Sequence, residues 1–319
     1  MTDTPRPWIS AYAPATVSNL GPGFDCLGLA VHGPGDTVRA RRRSEPGVVL
    51  SKISGDGGRL PQAADLNTAS VAVTAMLERL GLADSLGVEL ELEKGLPLGS
   101  GLGSSAASAC AALVATCAAL DLQVGSEALI EAARAGEAVA CGSPHPDNVA
   151  PALLGGIVLI AATAPLRVVS LPVPHNLWLA IYTPGCEVNT AEARAVLPRS
   201  VGLDAAVRRS ARMGLLVHAL HEGDLALLGE AIVDDIVEPV RAPLIPGFFE
   251  AKASATEAGA LACTISGAGP TCFALAESEE RALALLAILE ESFIHAGVSG
   301  RGRVERVGPG ARVTSQRFH

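Results

Sequence analysis

The sequence predicts an α+β fold in about two domains, and three observations carry that prediction. Its 319 residues are about twice the roughly 150 of an ordinary domain. Hydrophobic residues at 49% against 18% charged supply a core without disulfides or structural metal, and 34 glycines and 21 prolines supply the turns. Strand-like and helical stretches follow one another in mixed order, not in the strict alternation of a doubly wound parallel sheet.

Taken in order, Trp8 to Ala13, Cys26 to Val31, Thr37 to Arg43 and Val48 to Ile53 read as strands between glycine turns, the material of an antiparallel sheet. Arg39, Arg41 and Arg43 alternate along the third run and mark a solvated strand face. Asn67 or Thr68 caps a helix that runs to Leu80 and stops at Gly81. Val88 to Glu93 alternates as a strand with Val88, Leu90 and Leu92 inward. Lys94 to Gly103 is a glycine-rich loop that leads into a helix from Ser104, and Ser126 caps a further helix to about Cys141. Gly142 to Asn148 carries two prolines and reads as a loop, and Ile157 to Ala162 as a buried strand. Pro165, Pro172 and Pro174, with Pro151 before them, mark a domain transition near Ala164, giving domains of residues 1–164 and 165–319. Beyond it come a strand at Leu177 to Thr183, a short helix from Thr190, and amphipathic helices at Leu203 to His221 and Leu225 to Asp234. A helix to about Ala258 precedes strands at Ala260 to Ile265 and Thr271 to Ala276, which flank the turn Ser266-Gly267-Ala268-Gly269-Pro270. A helix at Glu279 to His295 and a strand at Arg303 to Val307 complete the pattern.

Composition excludes several partners. With 3% aromatic residues and a net charge of −9, the chain offers neither stacking platforms nor a basic face for nucleic acid. A small polyanion such as a nucleotide stays open, because backbone amides and a cation create local anion sites on an acidic protein. The seven cysteines are odd in number and never spaced C-x-x-C, so they read as small core residues in a reducing compartment, the cytoplasm. Met1 to Trp8 has no apolar run of a secretory signal. Ser104 to Leu120 is uncharged, but a helix of that size covers only about 25 Å of a roughly 30 Å hydrocarbon core, so a buried helix is expected and no membrane partner.

The central feature is Pro97-Leu98-Gly99-Ser100-Gly101-Leu102-Gly103-Ser104-Ser105-Ala106-Ala107, a glycine loop running into a helix N-terminus. Glycines let backbone amides approach an anion, and the unpaired amides of the first helical turn add partial positive charge. An ordinary P-loop needs Lys before its Ser or Thr, which is absent beside Ser104 and Ser105. A dinucleotide fingerprint needs G-x-G-x-x-G, which Gly99, Gly101 and Gly103 do not give, although Asp121 lies at a suitable distance.

The segment from Pro97 to Ala107 resembles the ATP-binding motif of the GHMP small-molecule kinases. Ala13-Pro14-Ala15-Thr16-Val17-Ser18-Asn19-Leu20-Gly21-Pro22-Gly23-Phe24-Asp25 resembles the opening motif of the homoserine-phosphorylating branch, and Ser266 to Thr271 the C-terminal glycine motif of the family. The resemblance implies a two-domain GHMP kinase fold, with an N-terminal ribosomal-protein-S5-domain-2-like domain containing a left-handed βαβ feature. A C-terminal ferredoxin-like domain follows, and the site lies between the two. It further implies ATP and Mg²⁺, L-homoserine as the alcohol phosphorylated to O-phospho-L-homoserine on the route to threonine, and a homodimer.

The same resemblance assigns residues. Ser105 and Glu137 would hold the metal, and residues 97 to 107 with Asn67 would hold ATP. Asp25 and Asp147 would lie near the substrate ammonium, Arg194 and Arg241 near its carboxylate, with Asn19, His145 and Thr190 as further contacts. Asn148 stands where related kinases carry an aspartate base, and no lysine occurs between Ala13 and Asp25. Asn148 is therefore expected to orient the hydroxyl, with the proton leaving to phosphate or solvent. A family kinase for another alcohol, a non-catalytic ligand-binding relative and a dinucleotide-dependent dehydrogenase are the competing readings.

Overall fold

The computed structural model describes residues 7–142 and 145–316. Strand β1 (Ile9–Asn19) pairs antiparallel with β2 (Gly23–Arg43). The runs expected as two strands, Cys26 to Val31 and Thr37 to Arg43, are one. The Gly33-Pro34-Gly35 turn signal is overridden because the Tyr12 hydroxyl hydrogen-bonds the carbonyls of Gly33 and Pro34, each at 2.9 Å, while a bulge between Pro14 and Thr16 absorbs the extra residues. Strand β3 (Gly47–Ser54) leads through helix α1 (Thr68–Arg79) to β4 (Gly87–Glu93), which lies parallel to β3 and antiparallel to β2. Val88, Leu90 and Leu92 face the core as their alternation requires. The arginines on the solvated face are paired: Arg39 sits opposite Glu91 and Arg41 opposite Glu89, and Arg41 stacks on Trp8 at 4.5 Å.

Helix α2 (Ser104–Leu120), made largely of Ala and Ser, lies buried against this sheet beside α3 (Ser126–Cys141). Gly125, not Ser126, holds the cap position of α3. The expected loop at Gly142 to Asn148 is corrected by α4 (Pro146–Leu154): Pro146 occupies the first helical turn, where its missing N–H has no partner to lose. Pro151 is also inside α4, while Ser143 and Pro144 lie outside the described residues. Strand β5 (Ile157–Thr163) pairs with β2 and with β6 (Leu166–Leu171), so the first sheet continues to Leu171.

The second sheet begins at β7 (Trp178–Pro184). Helices α5 (Thr190–Ala195), α6 (Leu203–Glu222), α7 (Leu225–Ala231), α8 (Glu238–Arg241) and α9 (Phe248–Glu257) follow. The helix expected to reach Asp234 stops at Ala231, because the Asp234 carboxylate accepts from the amides of Ile236 and Val237 at 3.0 and 2.9 Å and builds a turn. Strands β8 (Ala262–Ile265) and β9 (Cys272–Ala276), helix α10 (Glu279–His295) and β10 (Gly300–Arg306) complete an antiparallel sheet in the order β10-β7-β9-β8. With strands renumbered from β7 this is the 4-1-3-2 arrangement of a ferredoxin-like unit. The unexpected last strand, β11 (Arg312–Gln316), returns to the edge of β1.

Alternation in the second sheet divides the interior. Leu179, Ile181, Phe273 and Leu275 join one core with Leu216, Leu220 and Leu228 and with the first sheet. Ala180, Tyr182 and Ala274 face the other way and pack with Phe248 and Phe293 from α9 and α10. The two lobes thus share one continuous core, and the cleft opens above it. Among the described residues no helix is long and apolar enough to cross a membrane. Cys26, Cys110, Cys117, Cys186, Cys263 and Cys272 are free thiols, and burial raises the pKa of each.

Candidate active site

A cavity of about 470 Å³ lies between the lobes. One end is built by the glycine loop. Its first anchor is a buried pair, Lys94 at the end of β4 and Asp36 in β2. The Lys94 ammonium also donates to the Ser104 carbonyl and the Ser108 hydroxyl, each at 2.8 Å, so all three of its N–H bonds are used. The Asp36 carboxylate accepts from the Ser108 hydroxyl at 2.7 Å and from the amides of Gly95 and Leu96 at 3.0 and 3.1 Å. Burial pulls the Lys94 pKa down, and the Asp36 and Glu137 carboxylates oppose that shift. A lysine is thus present beneath the helix start, although none stands beside Ser104 and Ser105 in sequence. Period-two alternation was the available signal: Lys94 follows inward Leu90 and Leu92, and Asp36 precedes inward Val38 and Ala40.

The three loop glycines all have positive φ but serve different ends. A Cβ on Gly101 would lie 2.6 Å from the Ser266 carbonyl oxygen, and one on Gly103 would lie 1.9 Å from Thr16 Oγ1, so both are required by protein packing. Only Gly99 faces open space. Protein packing is thus a second reason for glycine at two of the three positions, all of which line the cavity. Helix α2 has no side-chain cap and no acid in its first turn, which leaves the early amides unclaimed by any capping side chain. Ser104, Ser105, Leu98, Gly99, Ser100, Gly101 and Gly103 line the cavity, with Glu137 from α3 and Asn67 at the cap of α1. Asn67 accepts from Ala69 N and donates to Pro61 O. Four expected ATP contacts, Pro97, Leu102, Ala106 and Ala107, do not line the cavity: Pro97 is turned to solvent, and the other three are buried in the core. Leu60, Pro61, Leu66 and Val139 give this end apolar walls, and among the described residues no Phe, Tyr or Trp lines it.

The other end gathers Asn19, Asp25, His145, Asp147, Asn148, Thr190, Arg194 and Arg241. Asp25, in a left-handed conformation at φ 58°, is held by Asn19, whose Oδ1 accepts the Asp25 amide at 3.2 Å and whose Nδ2 donates to the Gly267 carbonyl at 2.9 Å. Arg194 forms a two-point contact with Asp25 at 2.9 and 3.2 Å, and His145 Nδ1 lies 3.5 Å from the same carboxylate. Asp25 and Arg194, expected to face opposite ends of a zwitterion, therefore neutralise one another here. Arg241 is fixed by the carbonyls of Ala193 and Gly267 at 3.1 and 2.9 Å. Burial and the neighbouring Arg194 both disfavour the charge on Arg241, a cost that an incoming carboxylate relieves. Phe24, a residue that sequence reasoning missed, lies within cation–π distance of both arginines, at 5.7 Å from Arg194 and 5.1 Å from Arg241.

Asn148, in the first turn of α4, meets Thr16 and Ser18, two residues on one face of β1. Thr16 Oγ1 donates to its Oδ1 at 2.7 Å, and its Nδ2 donates to Ser18 Oγ at 3.1 Å. Burial first, and the charge of Asp25 second, push the Asp147 pKa up to about 6. Burial also lowers the His145 pKa, partly offset by Asp25.

The geometry on these two sides has counterparts in known proteins. Residues 67–156 match the GHMP kinases N terminal domain and residues 216–295 the GHMP kinases C terminal domain. The chain belongs to the GHMP kinase family. Within that family it is 44% identical over 282 residues to a homoserine kinase of Chlorobium phaeobacteroides, covering 86% of this chain and 88% of that one. It is 45% identical over 297 residues to the homoserine kinase of Arabidopsis thaliana, covering 91% and 79%. The crystal structure of homoserine kinase from Cytophaga hutchinsonii superposes with a TM-score of 0.92 at 43% identity, covering 98% of this chain and 99% of that one.

Two predictions follow from the buried charges. Lys94→Met leaves the Asp36 carboxylate unpaired and should lower the unfolding free energy by roughly 3–5 kcal/mol in urea titration; a loss below about 1 kcal/mol would contradict the anchoring role. Because the Asp147 pKa is raised from 3.8 to about 6 in the folded state, stability should fall as pH rises through that window. Asp147→Asn should therefore gain on the order of 2 to 3 kcal/mol over wild type at pH 8 and nothing at pH 3.5.

Proposed function

We propose that this cleft transfers the γ-phosphoryl group of ATP to the side-chain hydroxyl of L-homoserine, making O-phospho-L-homoserine for threonine biosynthesis. The observation that carries the reading is one cavity with an uncapped helix N-terminus at one end and a paired acid and arginine set at the other. The α2 amides bind phosphate oxygens, and the apolar wall of Leu60, Pro61, Leu66 and Val139 receives the base. Asp25 and Asp147 supply negative charge for the ammonium, with His145 alongside, while Arg194 and Arg241 take the carboxylate and Thr190 closes that end. Asn19 acts by fixing Asp25, and Asn148 orients the hydroxyl toward the γ-phosphate.

Ser105 and Glu137 both line the phosphate end, and a hydroxyl with a carboxylate suits Mg²⁺, which prefers oxygen and retains waters. Among the described residues no three His, Cys, Asp or Glu side chains cluster as a closed metal cage, which fits a metal completed by phosphate oxygens. Bound there, Mg²⁺ neutralises phosphate charge. The free thiols support a reducing cytoplasmic setting, and the family resemblance supports a homodimer.

ADP release measured with homoserine, mevalonate, serine and galactose should be rapid with homoserine alone; turnover only with galactose or mevalonate would overturn the substrate assignment. In Glu137→Ala, kcat should fall on the order of 10²-fold or more, and near-normal turnover would remove Glu137 from the metal site.

A further inference from the structure

Three guanidinium groups from three helices of the second lobe gather round one side chain of the first. Arg241 in α8 lies 5.1 Å from the centre of the Phe24 ring, and Arg194 in α5 and Arg209 in α6 each lie 5.7 Å from it. Such a gathering needs an attractive partner, because burial and the Arg194 charge both disfavour the charge on Arg241. The face of an aromatic ring carries negative potential and attracts a guanidinium within about 6 Å. Backbone packing fixes where this ring sits. A Cβ on Gly21 would come within 2.9 Å of the Ile232 backbone in the second lobe, and one on Gly23 would lie 2.5 Å from the Leu27 side chain and 2.7 Å from the Asn19 carbonyl oxygen. Arg209 Nε donates to the Pro22 carbonyl at 2.8 Å, and its guanidinium lies 3.8 Å from the Asp234 carboxylate, so the third arginine ties the turn down from behind.

A count of N–H groups shows what a ring does here that an acid could not. A guanidinium carries five. Arg241 gives one from Nε to the Ala193 carbonyl and one from Nη1 to the Gly267 carbonyl, which leaves three. Arg194 gives two to Asp25, and its Nε is buried without a partner. A carboxylate in place of the ring would hold both arginines through these remaining N–H groups and deny them to a substrate. The ring face attracts the charge and consumes none.

We infer that Phe24 is a positioning residue that sets affinity for homoserine, its ring holding Arg194 and Arg241 in the cavity wall with N–H groups free for the substrate carboxylate. The demand on the ring grows as substrate binds. The ammonium draws on Asp25, the acid that anchors Arg194, and the ring keeps Arg194 in place while that acid is shared. Weakening the ring face lowers the fraction of enzyme with both arginines in position, and apparent affinity falls with that fraction.

This role rests on the reading that the two arginines take the carboxylate, and the experiment separates the two. Steady-state ADP release by the whole enzyme with ATP and Mg²⁺ gives KM for homoserine and KM for ATP. Phe24 is replaced in turn by mono-, di- and trifluorophenylalanine, in which fluorine drains the negative ring face with little change of shape, and Phe24→Leu removes the ring. Homoserine KM should rise with each fluorine, to about tenfold with three and at least as far in Phe24→Leu, while ATP KM stays within about twofold. A homoserine KM that is flat across the fluorinated series makes Phe24 a packing residue and overturns the inference, whatever Phe24→Leu does. An equal rise in both KM values overturns it as well. The underlying reading is checked on wild type alone with L-homoserine amide, which keeps the shape of the substrate and loses the negative charge. Its KM should lie about tenfold or more above that of homoserine. Equal KM values would place the carboxylate away from the arginines, a failure recognised without any change at Phe24.

Discussion

Asp36 and Lys94 meet in the interior of the first lobe because each ends the inward-facing series of its strand, β2 and β4, which pair side by side. Two opposite charges out of water are tolerable only when their remaining hydrogen-bonding positions are filled. Here they are filled by the glycine loop itself: the amides of Gly95 and Leu96 at its start, and the Ser104 carbonyl and Ser108 hydroxyl in the first turns of α2 at its end. The pair consequently holds both ends of the loop at fixed separation and aims the uncapped N-terminus of α2 into the cleft. An acidic protein handles a polyanion in this way, with local amide dipoles and a helix end in place of a basic surface.

The second lobe meets that loop through one turn. Ser266 Oγ donates to the Gly101 carbonyl at 2.6 Å, Thr271 N to the Ser100 carbonyl at 3.2 Å, and Gly267 N to the Ser18 carbonyl at 3.2 Å. The Gly267 carbonyl collects Asn19 and Arg241. The glycine loop, the opening segment and Arg241 thus share one turn as their reference point. Phosphoryl transfer depends on alignment more than on covalent participation, so this junction is where positional precision is generated.

Much of this was legible in the sequence. The order of strands and helices, the helix start at Ser104, and the nucleotide loop follow from alternation, helical periodicity and glycine placement. The missed features are those in which distant residues decide. Tyr12 reaches across to keep β2 continuous through two glycines, β11 becomes a strand because β1 has a free edge, and prolines begin α4 instead of preventing it. At the site, Asp25 and the arginines were readable by resemblance, but their mutual neutralisation was not, since Asp25 and Arg194 are far apart in the chain. Ser18 lies inside the opening motif, and its contact with Asn148 comes from another part of the chain. Phe24 was passed over for the same reason.

The central claim is that the phosphate loop is formed before nucleotide arrives, by the buried pair beneath it. Amide hydrogen exchange of Gly95, Leu96 and Ser108 in the nucleotide-free protein tests it most directly. The Gly95 and Leu96 amides, bound to Asp36, should be protected to nearly the same degree as Ser108 inside α2, and saturating ADP should change them little. Rapid exchange at Gly95 and Leu96 in the free protein, with protection appearing only when ADP is bound, would contradict it.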